Sequence, residues 1–183
     1  AKNWNYGAAC PTAHRRPDHV VTVEEVMASR MVAEPLTTMI CCPPDDGAVA
    51  IILAREDIVR ARQPGRQVVR ALASALQSES YSRGHTFVGP VVGPSSMTRE
   101  TARECYDAAG LGPDDVSVAY CHDAFVNEEL EYYELLGFCD EGEGEKLVEE
   151  GATGPGGRIP FNTDGGLVAR GHRRLPRRRE FSK

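Results

Sequence analysis

"VSVAYCHDAFVNEELEYYELLGF", Val116 to Phe138, is the stretch whose reading decides the fold. Its first half alternates and is apolar, as a strand is. Its second half reads as a helix: Asn127 is placed to cap it, acidic residues fill its first turn, and Gly137 ends it. His122 and Asp123 fall at the junction, the C-terminal end of the strand, where α/β sheets place their sites. Neighbours on a strand point to opposite faces, so His122 shares a face with Ala124, and Asp123 with Cys121. A histidine at such a place is more often a hydrogen-bonded structural residue than a catalyst, so the pair alone decides nothing.

Outward from this stretch the same alternation of elements continues. "VTVEEVMASRM" carries a capping box, with Thr22 as the cap and Glu25 three residues on. "CCPPDDG" (41–47) is turn chemistry and leads into "AVAIILA" (48–54), which reads as a strand buried on both faces. A polar connection, Arg55 to Arg66, contains Pro64 and Gly65 and is the best internal boundary. "QVVRALASAL" (67–76) restarts as a strand, and "SESYSRGHTFVGPVVGPSS" (78–96) is a long loop of the kind that often carries function. In "MTRETARECYDAAG", Ala102, Cys105, Tyr106 and Ala109 form a helical stripe closed by Gly110. Strand, helix, strand, helix predicts a layered α/β fold.

Composition narrows the function. The chain of 183 residues is 41% hydrophobic and 26% charged, which suits one globular domain or a large piece of one. No apolar run approaches the ~18 residues of a membrane span, and "AKNWNYGAAC" has no hydrophobic signal core. A cytoplasmic location is expected. Net charge is −6, yet the last eleven residues, "RRLPRRREFSK", net +5 and leave −11 on the rest. An acidic body argues against nucleic acid as a partner. The basic tail, 173–183, is expected to be disordered. The six cysteines show no zinc spacing, and the chain is too long to need a disulfide framework.

Two further stretches bear on chemistry. "NTDGGLVARGH" (162–172) sets two glycines and then Gly-His, a backbone that approaches something closely and presents an imidazole. "CDEGEGEKLVEEG" (139–151) alternates carboxylates with glycines but lacks the spacing of a calcium loop, so no metal is expected. Neither a phosphate-binding loop nor a serine nucleophile elbow occurs.

Taken together, "TVEEVMASRMVAEPLTTMICCPPDDGAVAIILA", "HDAFVNEELEYYELLGFCDEGEG" and "GGRIPFNTDGGLVARGH" resemble the thiolase superfamily, nearest its sterol-carrier-protein branch. The resemblance runs from about Asn3 to His172. It implies the thiolase-like fold, a mixed sheet with helices on both faces, here incomplete. Residues 1–66 would be the end of the N-terminal half, 67–172 a truncated C-terminal half, and 173–183 the tail.

By the same resemblance the reaction is carbon–carbon bond cleavage or formation on a 3-oxoacyl-CoA through an acyl-cysteine. That cysteine belongs to the family's first half, and nothing here corresponds to it. His172 aligns with the histidine that activates the nucleophile, and His122 with the oxyanion donor of a His-Asp-Cys-Phe motif. Ala124 stands where the proton-transferring cysteine is found, and a methyl group carries no proton. Cys121 faces the other side and is a poor substitute. Asn162, Gly165, Gly166 and Phe125 are implied to line the substrate. Coenzyme A enters as part of the substrate, with no separate cofactor. A second thiolase-like chain or a homo-oligomer is an implied partner. A non-catalytic acyl-CoA or lipid binder and a CoA-thioester aldolase relative are the alternatives. After His172 the resemblance stops and Arg-rich sequence begins, as a shifted reading frame in a GC-rich gene would produce; resequencing across codon 172 tests this.

Overall fold

The computed structural model describes residues 1–62, 65, 67–78 and 95–173. The first helix, α1 (Lys2–Ala9), buries Asn3, Trp4, Tyr6 and Gly7. Thr22 caps α2 (Val23–Ala28) as the sequence predicts, its Oγ1 accepting the Glu25 N–H at 3.2 Å. The Glu25 carboxylate turns instead to His19 Nε2, 3.1 Å away, rather than closing the box. β1 (Met31–Ala33) and β2 (Leu36–Thr37) pair antiparallel. β3 (Pro44–Asp45), α3 (Glu56–Arg62) and α4 (Ser95–Ala109) follow. A 3-10 turn (Pro113–Asp115) precedes α5 (Val126–Leu135), α6 (Gly144–Glu149), α7 (Gly166–Arg170) and β4 (His172–Arg173). β4 pairs parallel with β3, Pro44 opposite His172.

The chain divides into two units: the described parts of Ala1–Gly47 with Pro113–Lys183, and those of Ala48–Gly112. In the second unit α4 carries the predicted stripe, with Ala102, Cys105, Tyr106 and Ala109 half-buried, and Gly110 ends it at φ +67°. The first unit holds two apolar clusters. In one, α5 sends Tyr133 onto Phe161, which also meets Phe138; both ring pairs are edge-on, with centroids 4.8 and 5.7 Å apart. In the other, Trp4 of α1, Val21, Val26 of α2 and Val168 of α7 are buried together, with Met39, Ile40 and Val126 packed on them.

Several expected elements differ. Residues 48–54 and 67–76 form no strand, and most of their apolar side chains are open, Ile52 at 94% and Leu76 at 95% exposure, with Val68, Ala73 and Ala75 half-buried. β-propensity describes fit to a pleated, half-buried surface; without a neighbour to take its N–H and C=O groups an apolar run does not become a strand. The strand expected before His122 is reduced to bridges. Ala119 pairs with Phe161 in parallel, and Cys41 with Phe125 antiparallel. Helix α5 begins one residue before Asn127, because Glu128 Oε2 accepts the Ala124 N–H at 3.1 Å and satisfies the helix entrance from inside. Gly137 does end it, at φ +81°. Most of the loop at 78–96 and residues 174–183 of the basic tail lie outside the described residues. The α/β character stands, with helices accompanied by one parallel and one antiparallel strand pair.

Candidate functional site

His122 and Asp123 part company as strand geometry requires. His122 is exposed and Asp123 is fully buried. His172 opens β4, where its N–H donates to the Pro43 carbonyl at 2.7 Å. The residue before it must be glycine: Gly171 sits at φ +87°, and a Cβ there would run into the Asp45 side chain. These placements bring the two imidazoles together, ring centroids 4.9 Å apart and edge-on at 84°.

What holds them is the stretch from Ile40 to Asp45, most of which the sequence reads only as part of the turn at 41–47. On one side Cys42 N–H donates to Ala124 O at 3.0 Å and Val126 N–H to Ile40 O at 3.3 Å. On the other side β3 carries β4. One extended segment therefore ties the His122 strand end to the His172 strand. Ala124 and Phe125 adjoin His122 on the same segment, Ala124 half-buried and Phe125 39% exposed.

Behind the imidazoles lies a buried polar network. Asp123 Oδ1 accepts the Leu167 N–H of α7 at 2.8 Å, and its Oδ2 accepts from Asn3 Nδ2 of α1 at 2.9 Å. The same Asn3 amide donates to Glu129 Oε2 at 2.6 Å. Glu129, also buried, forms an ion pair with Lys2 and accepts from the Tyr133 hydroxyl. Asn162 donates to Glu129 at 3.1 Å and accepts the Cys121 N–H at 3.0 Å, holding the strand before His122. Burial, above all, raises the Asp123 carboxyl to about 7; the Glu129 charge adds to this, while the bonds from Leu167 and Asn3 oppose it. Burial, followed by the Glu129 and Asp123 charges, pushes the Cys121 thiol up, which makes it a poor thiolate.

The predicted site residues thus fall into two groups. His122, His172 and Ala124 lie on one face, whereas Phe125, implied to line the substrate, is the bridge partner of Cys41 and projects from the other face. Asn162, Gly165 and Gly166 lie in the interior behind the histidines. Asn162 is 1% exposed with φ +49°. A Cβ on Gly165 would come within 2.7 Å of Gly7 Cα, and one on Gly166 would collide with the Asp123 carboxylate. Lys2, Asn3 and Glu129 were not singled out from sequence. Glu129 is one of the acidic residues that fill the first turn, and its burial on the inward side of α5 beside Tyr133 sets it apart. Among the described residues no cluster of His, Cys, Asp or Glu could hold a metal ion, and no helix is long and apolar enough to cross a membrane. All six cysteines are free.

Comparison with known proteins bears on what this arrangement does. The family described as "Thiolase C-terminal domain-like" matches residues 83–175. Sterol carrier protein 2 of Bos taurus is 41% identical over 82% of this chain. Benzoylsuccinyl-CoA thiolase subunit BbsB of Thauera aromatica is 38% identical over 83% of it. The 17-hydroxy-3-oxo-4-pregnene-20-carboxyl-CoA lyase of Mycobacterium tuberculosis is 34% identical over 81%. The chain spans 28% of the first of these and 38% of the other two. Among solved structures, the Ltp2-ChsH2(DUF35) aldolase superposes on 93% of this chain with a TM-score of 0.66 at 26% identity, over 44% of that chain.

Proposed function

The chain belongs to the thiolase family, and on that footing we propose that it carries the two-histidine part of a site for carbon–carbon bond cleavage or formation on a 3-oxoacyl-CoA. The observation that carries this is the His122–His172 pair, two imidazoles from distant segments set 4.9 Å apart at one surface. When a 3-oxoacyl thioester splits, negative charge gathers on the thioester oxygen of the fragment that leaves as an enolate. An imidazole N–H of His122 is suited to donate to that oxygen. His172 takes the proton of the attacking thiol, raising its thiolate fraction. Asn162, Gly165 and Gly166 serve the substrate through the backbone they shape behind the histidines.

In this proposal residues 1–66 and 67–172 belong to successive thiolase-like halves of a mixed sheet with helices on both faces. The exposed runs at 48–54 and 67–76 are its strands awaiting neighbours. A second thiolase-like chain or another copy is the natural partner; BbsB is itself named as a subunit. Six free cysteines fit a reducing compartment, the cytoplasm.

A second reading has its own support. The lyase relative and the aldolase neighbour both point to aldol cleavage of a CoA thioester, a reaction that needs no acyl-cysteine. Ala124 fits that chemistry as well. Free coenzyme A separates the two, since thiolytic cleavage consumes it as the second substrate and aldol cleavage does not. Assayed together with a thiolase-like chain that supplies the acyl-cysteine, the expected result is loss of 3-oxoacyl-CoA, with acyl-CoA and acetyl-CoA accumulating only when free CoA is supplied. Substituting His172→Asn lowers the rate by a factor of about 100 or more. CoA-independent release of a carbonyl product from a 3-hydroxyacyl thioester favours the aldolase. A chain that neither binds nor turns over either thioester overturns both.

A further inference from the structure

We propose that Cys42 is the thiol of this site, a proton-carrying group that stands beside His122 and His172 and faces the bound thioester. The inference rests on the functional reading above and on strand register. Cys41 is opposite Phe125, and the Cys42 N–H donates to Ala124 O, so Cys42 is directly opposite Ala124. Directly opposed residues project from the same face with Cβ atoms about 4.5–5.5 Å apart. Two residues further along the same segment, Pro44 is the partner of His172, which puts His172 on that face too. His122 shares it with Ala124, two positions away. The register therefore requires His122 and His172 to meet, and their rings do, at 4.9 Å. The same logic that correctly joins the imidazoles adds one thiol to them.

The surroundings suit a proton carrier. Ile40 and Val126, at the far end of the same face, pack on the apolar cluster of Trp4 and Val168. Charged and titratable groups act on Cys42 from several sides: Asp123 on the adjoining segment, Cys41 on its own and Glu128 from α5. Burial first, then the Asp123 charge, holds the thiol above its usual range, so it rests as S–H. In cleavage, the S–H bond breaks and the enolate's electron pair takes the proton to form the new C–H bond. The thiolate left behind is reprotonated by an imidazolium of the pair. Cys41, one residue away, faces the opposite side and cannot take part.

Alkylation by iodoacetamide, mapped by mass spectrometry with and without acetoacetyl-CoA, tests this. Cys10, whose thiol is lowered chiefly by its hydrogen bond with Thr12, is an internal reference. In Cys41→Ser the ligand is expected to slow alkylation of Cys42 by at least about fivefold, while in Cys42→Ser it leaves Cys41 unprotected. His172→Asn is expected to change the Cys42 rate several-fold and leave Cys10 untouched. Binding of the thioester is followed separately by calorimetry. An unprotected Cys42 in a protein that binds the ligand overturns the inference. If no ligand binds, the functional reading fails on its own; the thiol–imidazole cluster is then upheld by the His172→Asn effect and overturned by its absence.

Discussion

Asp123→Ala is expected to lower the unfolding free energy by about 2–4 kcal/mol at pH 6, read by urea denaturation. The substitution removes the acceptor of two buried donors, the Leu167 N–H at 2.8 Å and Asn3 Nδ2 at 2.9 Å. Each donor left without a partner costs roughly 1–3 kcal/mol. Part of this is offset because one of two neighbouring carboxylates disappears. That offset depends on pH, and its sign is fixed by the direction of the shift. The Asp123 carboxyl is raised from 3.8 to about 7, so across that interval the folded chain holds a proton that the unfolded chain has released. Its stabilising contribution is complete below the ordinary carboxylate range and is lost as pH rises through 7. The loss on substitution is therefore larger at pH 5 than at pH 8. Wild type loses stability over that range more steeply than the variant. Equal slopes for the two proteins, or a loss under about 0.5 kcal/mol at pH 6, would remove Asp123 from the account.

Gly166→Ala is expected to cost at least as much, about 3 kcal/mol or more, or to prevent folding. Gly166 sits at φ +59°, and an added Cβ has no room beside the Asp123 carboxylate. Strain alone accounts for about 1 kcal/mol of this, and the collision for the rest. The two contributions separate in a double-mutant cycle. In the Asp123→Ala background the colliding oxygens are gone, so the added cost of Gly166→Ala shrinks toward the strain alone. Strict additivity would mean that the glycine serves something other than the close approach of α7 to Asp123.

How much of this was legible in the sequence varies by element. The opposition of His122 and Asp123 across the strand follows from a period of two and needs no tertiary knowledge. So do the Thr22 cap, the α4 stripe and the glycine that ends α5, all of which rest on contacts within one turn. The strands expected at 48–54 and 67–76, which the structure does not form, depend on partners that local pattern does not supply. The buried network was illegible for a different reason. Lys2, Asn3, Glu129 and Asn162 are far apart in sequence, and polar residues of these types usually face solvent. Only the folded chain shows that one asparagine amide serves two carboxylates. The Ile40–Asp45 segment was hidden by its own prolines and aspartates, which spell a turn while its backbone spans two strand ends. Resemblance to a family named the two histidines, and geometry supplied what brings them together.

The most direct measurement is NMR on protein labelled only in its five histidines. With centroids 4.9 Å apart, His122 and His172 should show a mutual ring–ring NOE. Adding acetoacetyl-CoA should move those two signals together and leave His14 and His19 where they were. Absence of the NOE, or a response spread evenly over the histidines, would contradict a two-imidazole site for a CoA thioester.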